Sequence, residues 1–163
     1  MGQSELSIDI PDEQALGRLA ARVAAHWRVR GRDAFLSVGL SGDLGAGKTA
    51  WVRALLRALG FAGRVPSPTY TLMEIYEVDS ISLIHMDLYR ISGDAELAQL
   101  GLRDWLGRPG TWVLTEWPER APEWFSSCDI ELRIEIGAAT ARRMHARARD
   151  AAARAWLTPF ELT

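Results

Sequence analysis

Ser41-Gly42-Asp43-Leu44-Gly45-Ala46-Gly47-Lys48-Thr49 is the stretch on which the fold turns. Gly42 through Thr49 satisfies Gly-x-x-x-x-Gly-Lys-Ser/Thr, which a chain of this length meets by chance at a rate on the order of 1 percent. Ala34-Phe35-Leu36-Ser37-Val38-Gly39-Leu40 runs directly into it, and this mostly apolar run of strand length predicts a strand buried on both faces. Behind it Trp51, Val52, Leu55, Leu56 and Leu59 recur at helical spacing, with Gly60 where a C-cap belongs. The unit is strand, glycine loop, helix. Gly42, Asp43, Leu44, Gly45, Ala46 and Gly47 form a loop whose backbone N–H groups can converge on phosphate oxygens at the positive end of the helix. Lys48 then reaches the terminal phosphates, and the Thr49 hydroxyl is placed to ligate a bridging Mg2+.

The composition singles out the same lysine. The chain has 18 arginines and one lysine, and that lysine is Lys48. A rigid guanidinium fork does not replace a compact ammonium at a phosphate loop, so a chain that otherwise uses arginine keeps lysine there. The count also argues against GTP, because small GTPases select guanine with an Asn/Thr-Lys-x-Asp motif and no lysine is left to build one. ATP is the expected nucleotide.

Working outward, Leu6-Ser7-Ile8-Asp9-Ile10 alternates as a short strand, and Leu16, Leu19, Ala20, Val23 and Trp27 predict an amphipathic helix that runs to about Arg30 and stops at Gly31. Arg64 to Thr71, with two prolines, is an extended loop that feeds a strand through Leu72, Glu74 and Tyr76. Ile81 to Asp87 and Trp112 to Glu116 are apolar strands, each ending in a carboxylate. Asp94 to Leu106 holds one or two short helices, and Asp129 to Ile136 alternates as a half-exposed strand. The fold class is α/β: a P-loop NTPase-like three-layer fold with a mainly parallel central sheet flanked by helices. Residues 1–137 are expected to form the nucleotide-binding domain, and the Ala/Arg-rich residues 138–163 a helical tail. From Ala138 to Leu157 five arginines face one aspartate, so this stretch is +4 within a chain of net charge −2. A solvated helix face accounts for it better than contact with RNA or an acidic partner.

Other chemistries find little support. No apolar run approaches the roughly 20 residues that span a bilayer, and Met1-Gly2-Gln3-Ser4-Glu5 lacks a basic region before an apolar one, so a cytoplasmic location is expected. A single cysteine, Cys128, forms no internal disulfide or cysteine-rich zinc site and is taken as a packed residue. Trp27, Trp51, Trp105, Trp112 and Trp156 fall on apolar stripes and are assigned to core or interface packing. His26, His85 and His145 are isolated in sequence, and none is assigned to catalysis.

Ligands of open α/β sheets bind at the carboxyl ends of the strands, where Asp87 and Glu116 fall, and either carboxylate can hold magnesium. Five segments together, in order and spacing, resemble one family, the bacterial TsaE (also called YjeE) proteins. They are Gly42 to Thr49, Ser67-Pro68-Thr69-Tyr70-Thr71-Leu72, Asp87-Leu88-Tyr89-Arg90, Gly101-Leu102-Arg103-Asp104 and Glu116-Trp117-Pro118-Glu119. The resemblance implies a partner-dependent ATPase required for threonylcarbamoyladenosine (t6A) formation at the adenosine following the tRNA anticodon. TsaB and TsaD would be its partners, tRNA would be met only through them, and ATP hydrolysis would reset their complex. It also implies Lys48, Asp87 and Glu116 as catalytic residues, Thr49, Glu116 and Asp87 as metal ligands, and Ser67, Pro68, Thr69 and Tyr70 as a switch loop. Trp117 would lie beside the nucleotide and Glu13 near the adenine. Two other readings use the same loop. One is a nucleotide-dependent binding module with negligible turnover. The other is a small-molecule kinase, poorly supplied because Asp87 to Leu106 carries only Arg90 and Arg103 for a lid.

Overall fold

The computed structural model describes residues 5–161; Met1–Ser4, on which part of the leader reading rests, and residues 162–163 at the end of the predicted tail lie outside them. The elements run β1 (Leu6–Ile10), α1 (Glu13–Gly31), β2 (Leu36–Ser41), α2 (Lys48–Leu59), β3 (Met73–Val78), β4 (Ile81–Asp87), α3 (Asp94–Leu97), β5 (Thr111–Glu116), α4 (Pro122–Ser127), β6 (Ile130–Ile136), β7 (Arg142–Ala148) and α5 (Thr158–Glu161). The strands form one seven-stranded sheet in the order β1-β7-β6-β2-β5-β4-β3. Its core is parallel, β6, β2, β5 and β4 pairing in that sense, and antiparallel pairs close both edges. This is the expected P-loop NTPase-like α/β sheet. Among the described residues no helix is long and apolar enough to cross a membrane.

Strand alternation divides the core between two faces. Leu36, Val38, Leu40, Leu83, Trp112 and Leu114 pack against α1, α2 and α5. Ile84, Met86 and Val113 face the other way, toward Leu97 of α3, Leu102 and Trp124 of α4. Helix α2 buries Trp51, Val52, Leu55, Leu56 and Leu59. At about 1.5–3 kcal/mol per buried side chain this anchors the helix by on the order of 10 kcal/mol, well above the strain that a tight loop at its N-terminus stores. Trp27 is the centre of an aromatic cluster, edge-on to Trp112 and Trp156 at 5.9 and 6.3 Å, with Phe160 at 6.2 Å.

One expectation is corrected. Residues 138–163, as far as they are described, are not a helical tail. Residues 142–148 are strand β7, inserted between β1 and β6, and only the 3-10 turn Ala153–Leu157 and α5 follow it. Met144, Ala146 and Ala148 face inward, and small Ala146 stands between Leu132 and Leu6, so the strand is part of the core. Its arginines are not a free basic face, since Arg143 pairs with Asp9 at 2.8 Å and Arg147 with Glu131 at 2.7 Å. Helix α1 ends at Gly31, as its spacing predicts, and does so without a left-handed turn there. A Cβ there would stand 2.3 Å from Trp112 Nε1, so the glycine lets the helix approach the sheet.

Candidate functional site

Helix α2 begins on Gly47 with no side-chain cap and no acidic residue in its first turn. Its first N–H groups are therefore open to an anion at the positive helix end. Gly42, at φ 144°, starts the preceding loop, and a Cβ there would meet the main-chain oxygen of Ile134 at 2.5 Å. Arg142 braces the loop from β7, its Nε donating to Ala46 O at 2.9 Å and its Nη2 to Gly45 O at 3.3 Å. Sequence reasoning missed this contact because it placed Arg142 on a helix.

The loop opens on a cavity of about 340 Å³ lined by Lys48, Thr49, Asp87, Glu116, Trp117, Ser67 and Thr69. The sheet accounts for the gathering. β4 and β5 are parallel and in register, Asp87 opposite Glu116, so both chains deliver their carboxylates at the same end beside the loop that follows β2. Leu44, Gly45 and Gly47 also line the cavity. Glu13 does not; it lines a second cavity of about 500 Å³ together with Asp12, Ala46, Gly47, Ala50 and Arg142, on the other side of the loop. Pro68 and Tyr70 flank Thr69, and the exposed Tyr70 ring carries the Arg90 guanidinium at 4.2 Å.

Lys48 is 5 % exposed and donates to two loop carbonyls, Gly42 O at 2.5 Å and Asp43 O at 3.1 Å. Burial pulls its pKa below the ordinary lysine value, against Glu116, Glu119, Asp87 and Asp43, which favour the charged form. The Trp117 ring lies 4.0 Å from its Nζ. Trp117 adopts φ 55°, ψ 47°, a left-handed conformation rare for a bulky residue and disfavoured again by the following Pro118. That turn carries the indole from the end of β5 back over Lys48, where Tyr89 packs on it at 5.1 Å. Strain of this kind, on the order of 1–3 kcal/mol, persists where surrounding contacts impose it.

Each carboxylate has its own partners. Glu116 Oε1 accepts from Thr49 Oγ1 at 2.6 Å and from His85 Nε2 at 2.8 Å. Thr49 has given its only hydroxyl hydrogen to Glu116, and its lone pairs remain available to a cation. Asp87 Oδ2 accepts from Thr69 Oγ1 at 2.9 Å and from Ser67 Oγ at 3.4 Å, while Oδ1 accepts from Tyr89 N at 2.9 Å. The loop singled out in sequence is thus tied to a strand-end carboxylate by its own hydroxyls. Thr49, Glu116 and Asp87 are an all-oxygen set suited to Mg2+. Among the described residues no three His, Cys, Asp or Glu gather as a cage, so the remaining ligands would be phosphate oxygens and water. Sequence alone reads His85 as a packed residue of a buried strand near the site, whereas its Nε2 meets Glu116. The signal that could have placed it is the two-residue spacing to Asp87, which sets both on one face of a strand.

A family model described as Threonylcarbamoyl adenosine biosynthesis protein TsaE matches residues 10–145. The Haemophilus influenzae protein named tRNA threonylcarbamoyladenosine biosynthesis protein TsaE is 36% identical over 126 residues, 77% of this chain and 79% of that protein. A Synechocystis protein of the same name is 42% identical over 87 residues, 52% of this chain and 55% of its own length. Among solved structures, that of Bacillus subtilis YdiB aligns with a TM-score of 0.74 at 22% identity, covering 99% of this chain and 97% of the other. At that identity the likeness speaks for the fold.

Proposed function

The chain belongs to the TsaE family, and from that premise we propose that it is an ATP-binding protein and partner-dependent ATPase serving t6A modification of tRNA. The observation that carries the reading is the meeting of Lys48, the Thr49–Glu116 pair and the Ser67/Thr69–Asp87 contact around one cavity. The loop N–H groups and the open start of α2 bind the phosphates. Lys48 exchanges the carbonyls of Gly42 and Asp43 for phosphate oxygens, and Trp117 moves with the nucleotide it lies beside. Thr49 and Glu116 hold Mg2+, which supplies neutralisation of the β- and γ-phosphate charge when bound. Asp87 supports the metal or orients the attacking water, and its hydroxyl partners on the switch loop report whether the terminal phosphate is present. Glu13 lines the neighbouring cavity of about 500 Å³, which adjoins Gly47 and would receive the adenine.

Lys48 is the only cationic side chain among the described residues lining the phosphate-side cavity. Phosphoryl transfer that lacks a further cationic side chain beside the loop lysine and Mg2+ is slow, which supports dependence on the TsaB and TsaD proteins to complete the site. In this reading hydrolysis resets their complex between rounds, and tRNA is met only through it. ATP turnover measured alone and with cognate TsaB and TsaD tests the proposal. Slow release of phosphate alone, acceleration by the partners and loss in Lys48→Ala are expected. An unaccelerated rate, or a Lys48→Ala variant that turns over normally in the assembled complex, overturns it.

A further inference from the structure

His85 stands on β4 two residues before Asp87, opposite Leu114 of β5 and on the same face as Leu83. It is fully buried. Its Nε2 meets Glu116 Oε1 at 2.8 Å, whereas Nδ1 is buried without a hydrogen-bond partner. A carboxylate only accepts, so the ring hydrogen lies on Nε2. A side chain kept here for bulk alone would be better as leucine, because an imidazole leaves one nitrogen unsatisfied in an apolar layer. Among the described residues the ring's only hydrogen-bond partner is Glu116. Thr49, on a different element, donates to the same oxygen. Two donors, one from α2 and one from β4, therefore fix Oε1, and among the described residues Oε2 has no hydrogen-bond partner of its own.

We propose that His85 is a positioning residue: it anchors Glu116 through Oε1 and so keeps Oε2 free for the magnesium-bearing side of the cavity. The inference rests on the ATPase reading and deepens it. Without the anchor, Glu116 would be held by Thr49 alone, whose hydroxyl must also serve the metal. Outer partners that orient metal-holding carboxylates typically change metal affinity or activity by about 10–100-fold when removed. Bulk is not the operative property; a donor at the Nε2 position is.

The test compares His85→Leu with His85→Gln, whose amide N–H can replace Nε2–H. Mn2+ is titrated by electron paramagnetic resonance against the protein–ADP complex, with metal-free ADP affinity and thermal melting measured in parallel. His85→Leu should bind Mn2+ about tenfold or more weakly, His85→Gln should recover most of that loss, and metal-free ADP affinity should be unchanged in both. Should His85→Leu fail to fold, His85→Asn, too short to reach Glu116, takes its place. Wild-type Mn2+ affinity in the variant lacking the donor, or equal loss in the Gln variant, overturns the proposal. In the unliganded protein the His85 Nε2 proton should give a slowly exchanging nuclear magnetic resonance signal that Glu116→Ala abolishes; its absence from the wild type overturns the anchor independently of nucleotide. Failure of the wild type to bind ADP or ATP would instead overturn the ATPase reading.

Discussion

Replacing Gly42 by alanine should cost nucleotide affinity without unfolding the chain. The added Cβ would stand 2.5 Å from Ile134 O. That oxygen belongs to the main chain of β6, held in register with Met144 of β7, so it cannot turn aside. Ordinary contact begins near 3.4 Å, so the loop would have to retreat by about 0.9 Å. Such a shift misaligns N–H groups whose hydrogen bonds to a charged phosphate contribute about 1.5–3 kcal/mol each, and losing one corresponds to roughly 10–100-fold in affinity. The strain of φ 144° on alanine adds on the order of 1–3 kcal/mol to the folded state, below the 5–15 kcal/mol typical of domain stability. Gly45→Ala is the control. It also has a positive φ, 81°, but nothing lies within 4 Å of its Cβ, so it should lose a little stability and keep ATP affinity within about threefold. Calorimetric titration with MgATP and a thermal melt of each variant decide the matter. A Gly42→Ala protein that binds ATP as tightly as its parent, or a Gly45→Ala protein impaired more than it, would refute the reasoning.

Three further outcomes are expected. Burial pushes the Cys128 thiol up to about 12, with Asp129 adding to the effect, so at pH 8 a disulfide reagent should leave the native protein almost unlabelled and label it fully once denatured; rapid native labelling would contradict this. Trp156→Ala should destabilise by about 3–5 kcal/mol, read as a lower urea midpoint at unchanged slope, because Trp156 packs edge-on to Trp27; a surface-like change under 0.5 kcal/mol would return the C-terminal segment to the status of a tail. Arg142→Ala removes the brace on Gly45 and Ala46 and should weaken ATP binding about 3–10-fold, whereas Arg143→Ala, which loses only an exposed pair with Asp9, should not; equal effects would deny the brace.

Strands β2, β4 and β5 were legible because they are buried on both faces and their apolar runs end abruptly at Gly42, Asp87 and Glu116. β7 was not. Arg143-Met144-His145-Ala146-Arg147-Ala148 does alternate, but alanine and arginine are strong helix formers, and small alanines on the inward face carry little hydrophobic signal. What makes them a strand is tertiary: Ala146 pairs with Leu132 of β6 on one side and Leu6 of β1 on the other. The misreading also hid Arg142, since a helix would not have aimed its guanidinium at the phosphate loop.

Asp87 and Glu116 look equivalent in sequence, each an acid after an apolar strand, yet their surroundings divide the work between them. Glu116 is bound from two rigid elements, α2 through Thr49 and β4 through His85, whereas Asp87 Oδ2 is bound by hydroxyls of a loop with two prolines while its Oδ1 accepts from Tyr89 N. A group fixed from two sides is suited to holding a metal in one place, and a group fixed by a loop is suited to sensing whether that loop has moved. Neither half of this distinction can be read from Asp87 or Glu116 themselves. It follows from which neighbours carry a hydrogen to donate, and of those neighbours His85 is the one whose position, two residues before Asp87 on a buried strand, already fixed its face.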